Sequence, residues 1–115
     1  MLLKLFLAGA GGFVGAISRY GISQLFASPW ATLGVNVAGC LLIGVLQPLL
    51  KDRELALAFL VPGVLGGFTT FSAFGHETHE LARQGTPGLA ALYVVSSVLL
   101  GLGAVWLGRM AKLSG

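Results

Sequence analysis

The sequence predicts an all-α membrane protein: four transmembrane helices, the third broken mid-membrane, forming one domain over residues 1–115. Three observations carry this. Hydrophobic residues make up 56% of the chain and charged residues only 10%, against roughly 25% in soluble domains, and mean hydropathy is +0.89. Four apolar stretches each reach the length of about 20 residues that a membrane helix needs. The third contains Gly66-Gly-Phe-Thr-Thr-Phe-Ser-Ala-Phe74, where paired glycines and paired threonines are poor material for an uninterrupted helix.

The first span runs from about Leu2 to Phe26. Its start, Met-Leu-Leu-Lys-Leu-Phe-Leu, resembles a signal peptide, but three more spans follow and the segment is read as a membrane helix. The second runs from about Ala31 to Leu50, the third from Leu55 to His79 and the fourth from Pro87 to Arg109. The connections are short, which predicts antiparallel neighbours. Pro29 and Pro87 sit at helix starts, where a missing N–H costs least. Pro62 marks a kink or a late start of the third span. Tyr20, Trp30 and Trp106 lie near span ends, as interfacial anchors do.

An even number of spans leaves both termini on one side. That side holds Lys4, Lys51, Arg53, Arg109 and Lys112; the other holds Arg83, with Arg19 if it reaches that surface. This bias places the termini in the cytoplasm. The basic residues are scattered, so no nucleic-acid footprint is present. Cys40 is the single cysteine, so no intrachain disulfide forms. Among 18 glycines, Gly11 and Gly15, with Ala8 and Gly12, form small-residue ridges, as do Gly101, Ala104 and Gly108. Such ridges predict close helix packing or oligomerisation. Four short helices hardly surround a polar path alone, so a homo-oligomer is expected.

Polar residues at membrane depth are costly and mark function. The candidates are Arg19 at the end of the first span, Asn36 in the second, Thr69, Thr70 and Ser72 at the break, His76, Glu77 and His79 beyond it, and Tyr93, Ser96 and Ser97 in the fourth. Tyr93, Ser97 and Gly101 recur every four residues and share a helix face. Phe71, Phe74 and Thr78 share a face of the third span. Hydroxyls and the Asn36 amide donate hydrogen bonds, and phenyl rings present a positive edge. Donors facing ring edges suit a small anion, with Arg19 adding positive charge near one mouth. The plainer readings are serines bonded to their own helix, phenylalanines that only pack, and an Arg19 that reaches to the headgroups.

These residues resemble the Fluc (CrcB) fluoride channels. The resemblance runs nearly end to end and rests on Gly12-Phe-Val-Gly-Ala-Ile-Ser-Arg-Tyr20, Gly34-Val-Asn-Val-Ala-Gly39, and Gly66 to Phe74 followed by Glu77-Thr78. It implies an antiparallel, dual-topology dimer with two pores, passively exporting fluoride across the plasma membrane of a bacterium. It implies that Asn36, Thr70, Phe71, Ser72, Phe74, Tyr93 and Ser97 line the fluoride pore, and that Arg19 and Glu77 belong to the vestibule. Gly101 stands where some members carry another hydroxyl. A structural sodium ion at the dimer centre is implied as the one bound cofactor, held by the backbone carbonyls of Gly66 and Thr69. The charge bias fits a homodimer less neatly than a pair with an oppositely oriented paralogue, and both arrangements stay open, with the homodimer favoured.

Other classes fit less well. Small multidrug transporters share the architecture but need an acidic residue deep in the first span, where this chain has only Arg19. A non-transporting scaffold leaves the Phe71/Phe74 and Tyr93/Ser97 faces without purpose. His76 and His79 lack a third metal ligand, Gly9-Ala-Gly-Gly12 lacks dinucleotide-loop spacing, and no nucleophile with a base marks an enzyme.

Overall fold

A computed structural model describes residues 1–114, with side chains through Ala111. The Lys112 side chain and Gly115 lie outside the described residues. The chain forms α1 (Leu2–Leu25), α2 (Trp30–Leu49), α3 (Glu54–Ala58), a π-helical segment (Phe59–Leu65), α4 (Gly66–Phe68), α5 (Phe71–Arg83) and α6 (Pro87–Ser114). Four stretches are long and apolar enough to cross a membrane: Leu2–Leu25, Trp30–Leu49, Glu54–Arg83 and Pro87–Ala111. The third reaches past His79, so its connection to α6 shortens to residues 84–86. Gly85, at φ +90°, supplies the left-handed residue that turns the chain there.

The interior is sparse and the outside apolar. Phe6, Phe13, Ile17, Leu99, Leu102 and Trp106 are all more than half exposed, as side chains facing lipid are, whereas Val35, Leu65, Ala90 and Tyr93 are buried. Tyr20 and Trp30 are exposed too, and the Trp30 ring also stands edge-on to Tyr93 at 6.4 Å.

The closest packing joins helices that are not neighbours in sequence. α1 lies along the π segment and α4, and α2 lies along α6, whereas α1 and α2 touch little. Both close pairs are parallel. Gly11 abuts Phe59 and Gly63, and Gly15 abuts Val64 and Phe68, so the numbers rise together; Cys40 faces Gly101 and Gly44 faces Val105. The antiparallel order set by the short loops therefore does not give the main contacts. The reason is the small residues. A Cβ at Gly11 would lie 2.8 Å from Gly63 Cα, and one at Gly15 would lie 2.7 Å from the Phe68 nitrogen. These ridges serve contacts inside one chain.

The third span departs from expectation at its glycines. Gly66 and Gly67 are helical, and the extended residues are Thr69 (φ −87°, ψ 155°) and Thr70 (φ −150°, ψ 121°). Glycine here serves approach rather than rupture: a Cβ at Gly67 would lie 3.0 Å from Gly12 Cα. Pro62 neither delays the span nor ends it; it sits inside the π segment, whose wider turn absorbs the missing N–H. At the other end of the span, Lys4 Nζ lies 2.9 Å from Glu54 Oε2 and ties the start of α1 to the start of α3.

Because Gly15 meets backbone, no side-chain movement makes room for a larger residue. Gly15→Val is expected to lower stability by about 1–3 kcal/mol, read as a fall in Tm of the purified protein. Gly21→Ala, where a Cβ meets nothing within 4 Å, should leave Tm unchanged.

Candidate functional site

The interruption between α4 and α5 organises the site, because side chains from α1, α2 and the segment itself meet most of its polar groups. The Asn36 side chain, on α2, pairs with both polar groups of residue 70: Nδ2 donates to the Thr70 carbonyl at 3.0 Å and Oδ1 accepts from the Thr70 N–H at 2.8 Å. Thr70 Oγ1 accepts from the Ala73 N–H at 3.1 Å, which makes Thr70 the N-cap of α5. Thr69 Oγ1 donates to the Leu65 carbonyl at 2.9 Å. From α1, Arg19 Nε donates to the Gly67 carbonyl at 3.1 Å. Arg19 thus holds the end of α4, with a positive charge where the helix dipole is negative.

These bonds divert helical donors. The N–H groups four residues on from Gly66 and Thr69 belong to Thr70 and Ala73, and these point to Asn36 Oδ1 and Thr70 Oγ1. The carbonyls of Gly66 and Thr69 are thereby released from the helical ladder. Released carbonyl oxygens are the donor type that a hard cation such as sodium prefers, so the two residues fit the expected ion by chemistry.

Beside the break lies an open cavity of about 520 Å³. Asn36, Gly66, Thr69, Thr70, Phe71, Phe74 and Ser97 line it, joined by Cys40 and Gly101. The structure therefore brings together residues from the second, third and fourth spans that the sequence singles out. Phe71 and Phe74 stand with ring centroids 5.7 Å apart, and Phe71 is 83% exposed. Ser97 Oγ is buried without a hydrogen-bond partner among the described residues. Gly101 is buried, and the position of its missing Cβ lies 3.4 Å from Cys40 Sγ. The thiol from α2 occupies the level at which a side chain on α6 would stand.

Two expected pore residues, Ser72 and Tyr93, lie off the cavity wall, as do the expected vestibule residues Arg19 and Glu77. Ser72 is exposed, its Oγ 3.3 Å from Thr70 Oγ1. Tyr93, only 1% exposed, packs against Phe74 at 5.3 Å and donates from its hydroxyl to Glu77 Oε2 at 3.2 Å. Glu77 also accepts a hydrogen bond from Thr32 Oγ1. Thr32, Glu77 and Tyr93 thus form a second polar cluster behind the Phe74 ring. Sequence reasoning missed Thr32. Its spacing to Asn36 is four residues on α2, so a helix-face reading of the second span could have found it. His76 and His79 are exposed, and no group of three metal-ligating side chains occurs among the described residues.

If the threonine hydroxyl caps α5, Thr70→Val should cost about 1 kcal/mol of stability, whereas Thr70→Ser should cost little. Asn36→Leu, which leaves the Thr70 peptide unpaired, should cost about 1–3 kcal/mol. Thermal unfolding of the detergent-solubilised variants measures all three.

Comparison with known proteins follows the same lines. The family "CrcB-like protein, Camphor Resistance (CrcB)" matches residues 6–109. A protein of Methylobacillus flagellatus named fluoride-specific ion channel FluC is 40% identical, across 93% of this chain and 92% of its own. Proteins of the same name from Elusimicrobium minutum and Paracoccus denitrificans are 43% and 45% identical, covering 94% and 85% of this chain and 92% and 85% of their own. The match takes in every residue of the break, the cavity and the Thr32–Glu77–Tyr93 cluster, and the chain belongs to the CrcB family.

Proposed function

We propose that this chain is a fluoride-selective channel, not an enzyme, which lets fluoride leave the cytoplasm passively and so lowers its toxic concentration. The observation that carries the reading is the cavity, where an amide, hydroxyls and two phenyl rings from three spans converge in a member of a family whose relatives are named fluoride-specific ion channels. Four helices able to cross a membrane, in a family of bacterial relatives, make this a multi-pass protein of the bacterial plasma membrane.

Fluoride is small and strongly hydrated, so a path must replace water with donors. Ser97 Oγ has no partner among the described residues, and Asn36 keeps one Nδ2 hydrogen beyond its bond to Thr70. Ring edges of Phe71 and Phe74 add weakly positive C–H groups. The hydroxyls of Thr70, Ser72 and Tyr93 continue the polar path on either side, and Arg19 and Glu77 set the charge of its approaches.

The functional unit in this reading is an antiparallel, dual-topology homodimer with two pores, its interrupted spans crossing at mid-membrane. Three features support it. The cavity is open, Phe71 on its wall is 83% exposed, and a Cβ added at glycine 9, 21, 34 or 103 would meet nothing within 4 Å among the described residues. A second copy covers such surfaces as lipid does not cover a polar path. The released carbonyls of Gly66 and Thr69 would hold a structural sodium ion at the crossing. A sodium ion there supplies positive charge to carbonyl dipoles that hydrocarbon leaves unmet. An oppositely oriented paralogue is the alternative partner.

Liposomes holding the purified protein should release fluoride far faster than chloride, and without a proton gradient. Asn36→Asp and Phe71→Ile should each reduce that flux to the background leak while the protein still folds. Fluoride release no faster than chloride leak from parent liposomes overturns the function. Normal flux in both variants overturns the pore assignment.

A further inference from the structure

We propose that Gly39 is a positioning residue of the conduction path: it seats the Thr69 methyl group and thereby fixes how the interruption stands against α2. The inference rests on the channel reading above and names a residue that touches neither ion.

Thr69 carries two groups on its Cβ, and both are engaged. Its Oγ1 donates back to the Leu65 carbonyl at 2.9 Å, on the same oxygen that accepts the Thr69 N–H at 3.0 Å. With the hydroxyl held there, the methyl Cγ2 points to α2, and the residue it meets is Gly39. A Cβ on Gly39 would fall inside the van der Waals envelope of Thr69 Cγ2, with Phe68 Cδ2 at 3.9 Å beyond it. Gly39 is buried, and it lies three residues after Asn36 on one face of α2. Within one turn, then, α2 touches both residues of the interruption. Asn36 pairs with the Thr70 peptide, and Gly39 receives the Thr69 side chain.

The consequence is geometric. Thr69 and Thr70 are extended, and the Thr69 carbonyl lies in one planar peptide with the Thr70 N–H, so its direction depends on the bond from that N–H to Asn36 Oδ1. The seat on Gly39 and the bond to Leu65 hold the Thr69 side chain, and Asn36 holds the peptides on both sides of Thr70. A methyl at residue 39 must either rotate Thr69 or push α2 away. Both responses stretch the 2.8 Å and 3.0 Å bonds between Asn36 and Thr70 and turn the Thr69 carbonyl beside the cavity that Thr69 and Thr70 line.

Gly39 differs here from the packing glycines. Gly44 and Gly108 lie against backbone atoms, Val105 O and Leu41 O, whereas Gly39 lies against the tip of a side chain. A clash with backbone cannot be relieved by trimming a neighbour; a clash with a methyl can. Thr69→Ser removes Cγ2 and keeps the hydroxyl that bonds Leu65.

The test is a double-mutant cycle with two readouts, fluoride efflux from liposomes and Tm in detergent. In the parent, Gly39→Ala should lower fluoride flux about ten-fold and lower Tm. In the Thr69→Ser background, the same substitution should change flux by less than about two-fold from that background and leave its Tm unmoved. Gly44→Ala should be equally harmful in both backgrounds. Equal losses from Gly39→Ala in both backgrounds overturn the proposal, as does no loss in either. Should Gly39→Ala alone fail to fold, recovery of folded protein by Thr69→Ser sustains the seat and failure to recover overturns it. Absence of fluoride flux in the parent would defeat the channel reading instead, and the Tm cycle would still decide the seat.

Discussion

Hydrocarbon offers no hydrogen bonds, and that constraint shapes the centre of this protein. Where the third span leaves helical geometry at Thr69 and Thr70, each peptide group needs a partner from the protein itself. The partners come from three directions. Asn36 reaches from α2 to the Thr70 peptide, Arg19 reaches from α1 to the Gly67 carbonyl, and Thr70 caps the next helix with its own hydroxyl. The Gly66 and Thr69 carbonyls remain outside this set because their helical donors are turned elsewhere. The interruption is therefore held by specific side-chain bonds from α1 and α2 rather than being a loose segment.

Side chains can do this only because helices come close. Arg19 and Asn36 hydrogen-bond the third span directly, and glycines at 11, 15, 63 and 67 remove the Cβ atoms that would hold α1 off. The same logic brings α2 and α6 together at Gly44 and Gly108. Dispersion and close packing, not water exclusion, hold helices together in lipid, so the missing Cβ atoms at these contacts count twice: they let backbones touch and let polar side chains reach.

The polar residues divide into two groups that share Phe74 as a partition. On one side, Asn36, Thr70 and Ser97 stand around the cavity with Phe71. On the other, Thr32 and Tyr93 hydrogen-bond the two oxygens of the Glu77 carboxylate. A carboxylate at this depth is costly unless its oxygens are met, and both are. The α6 face of Tyr93, Ser97 and Gly101 is legible from period alone, but its three positions have different surroundings: a buried ring, an unpartnered hydroxyl, and a gap faced by the Cys40 thiol.

The sequence by itself determined the spans, the odd chemistry of residues 66–74 and the list of polar residues at depth, because hydropathy, helix period and helix-breaking residues are local properties. It placed the interruption on the paired glycines as well as the paired threonines, and only the threonines are extended, since glycine's low helix propensity reads the same whether it serves rupture or approach. It left out Thr32, whose role exists only through Glu77 and Tyr93 on other helices. It could not tell that Arg19 and Asn36 hold backbone, nor that Gly39 meets a methyl group. Those facts depend on which residues 30 to 48 positions apart come into contact, as Asn36 with Thr70 and Arg19 with Gly67. Only the tertiary structure decides such contacts, because the packing of parallel, non-sequential helices is set by surfaces that no single segment contains.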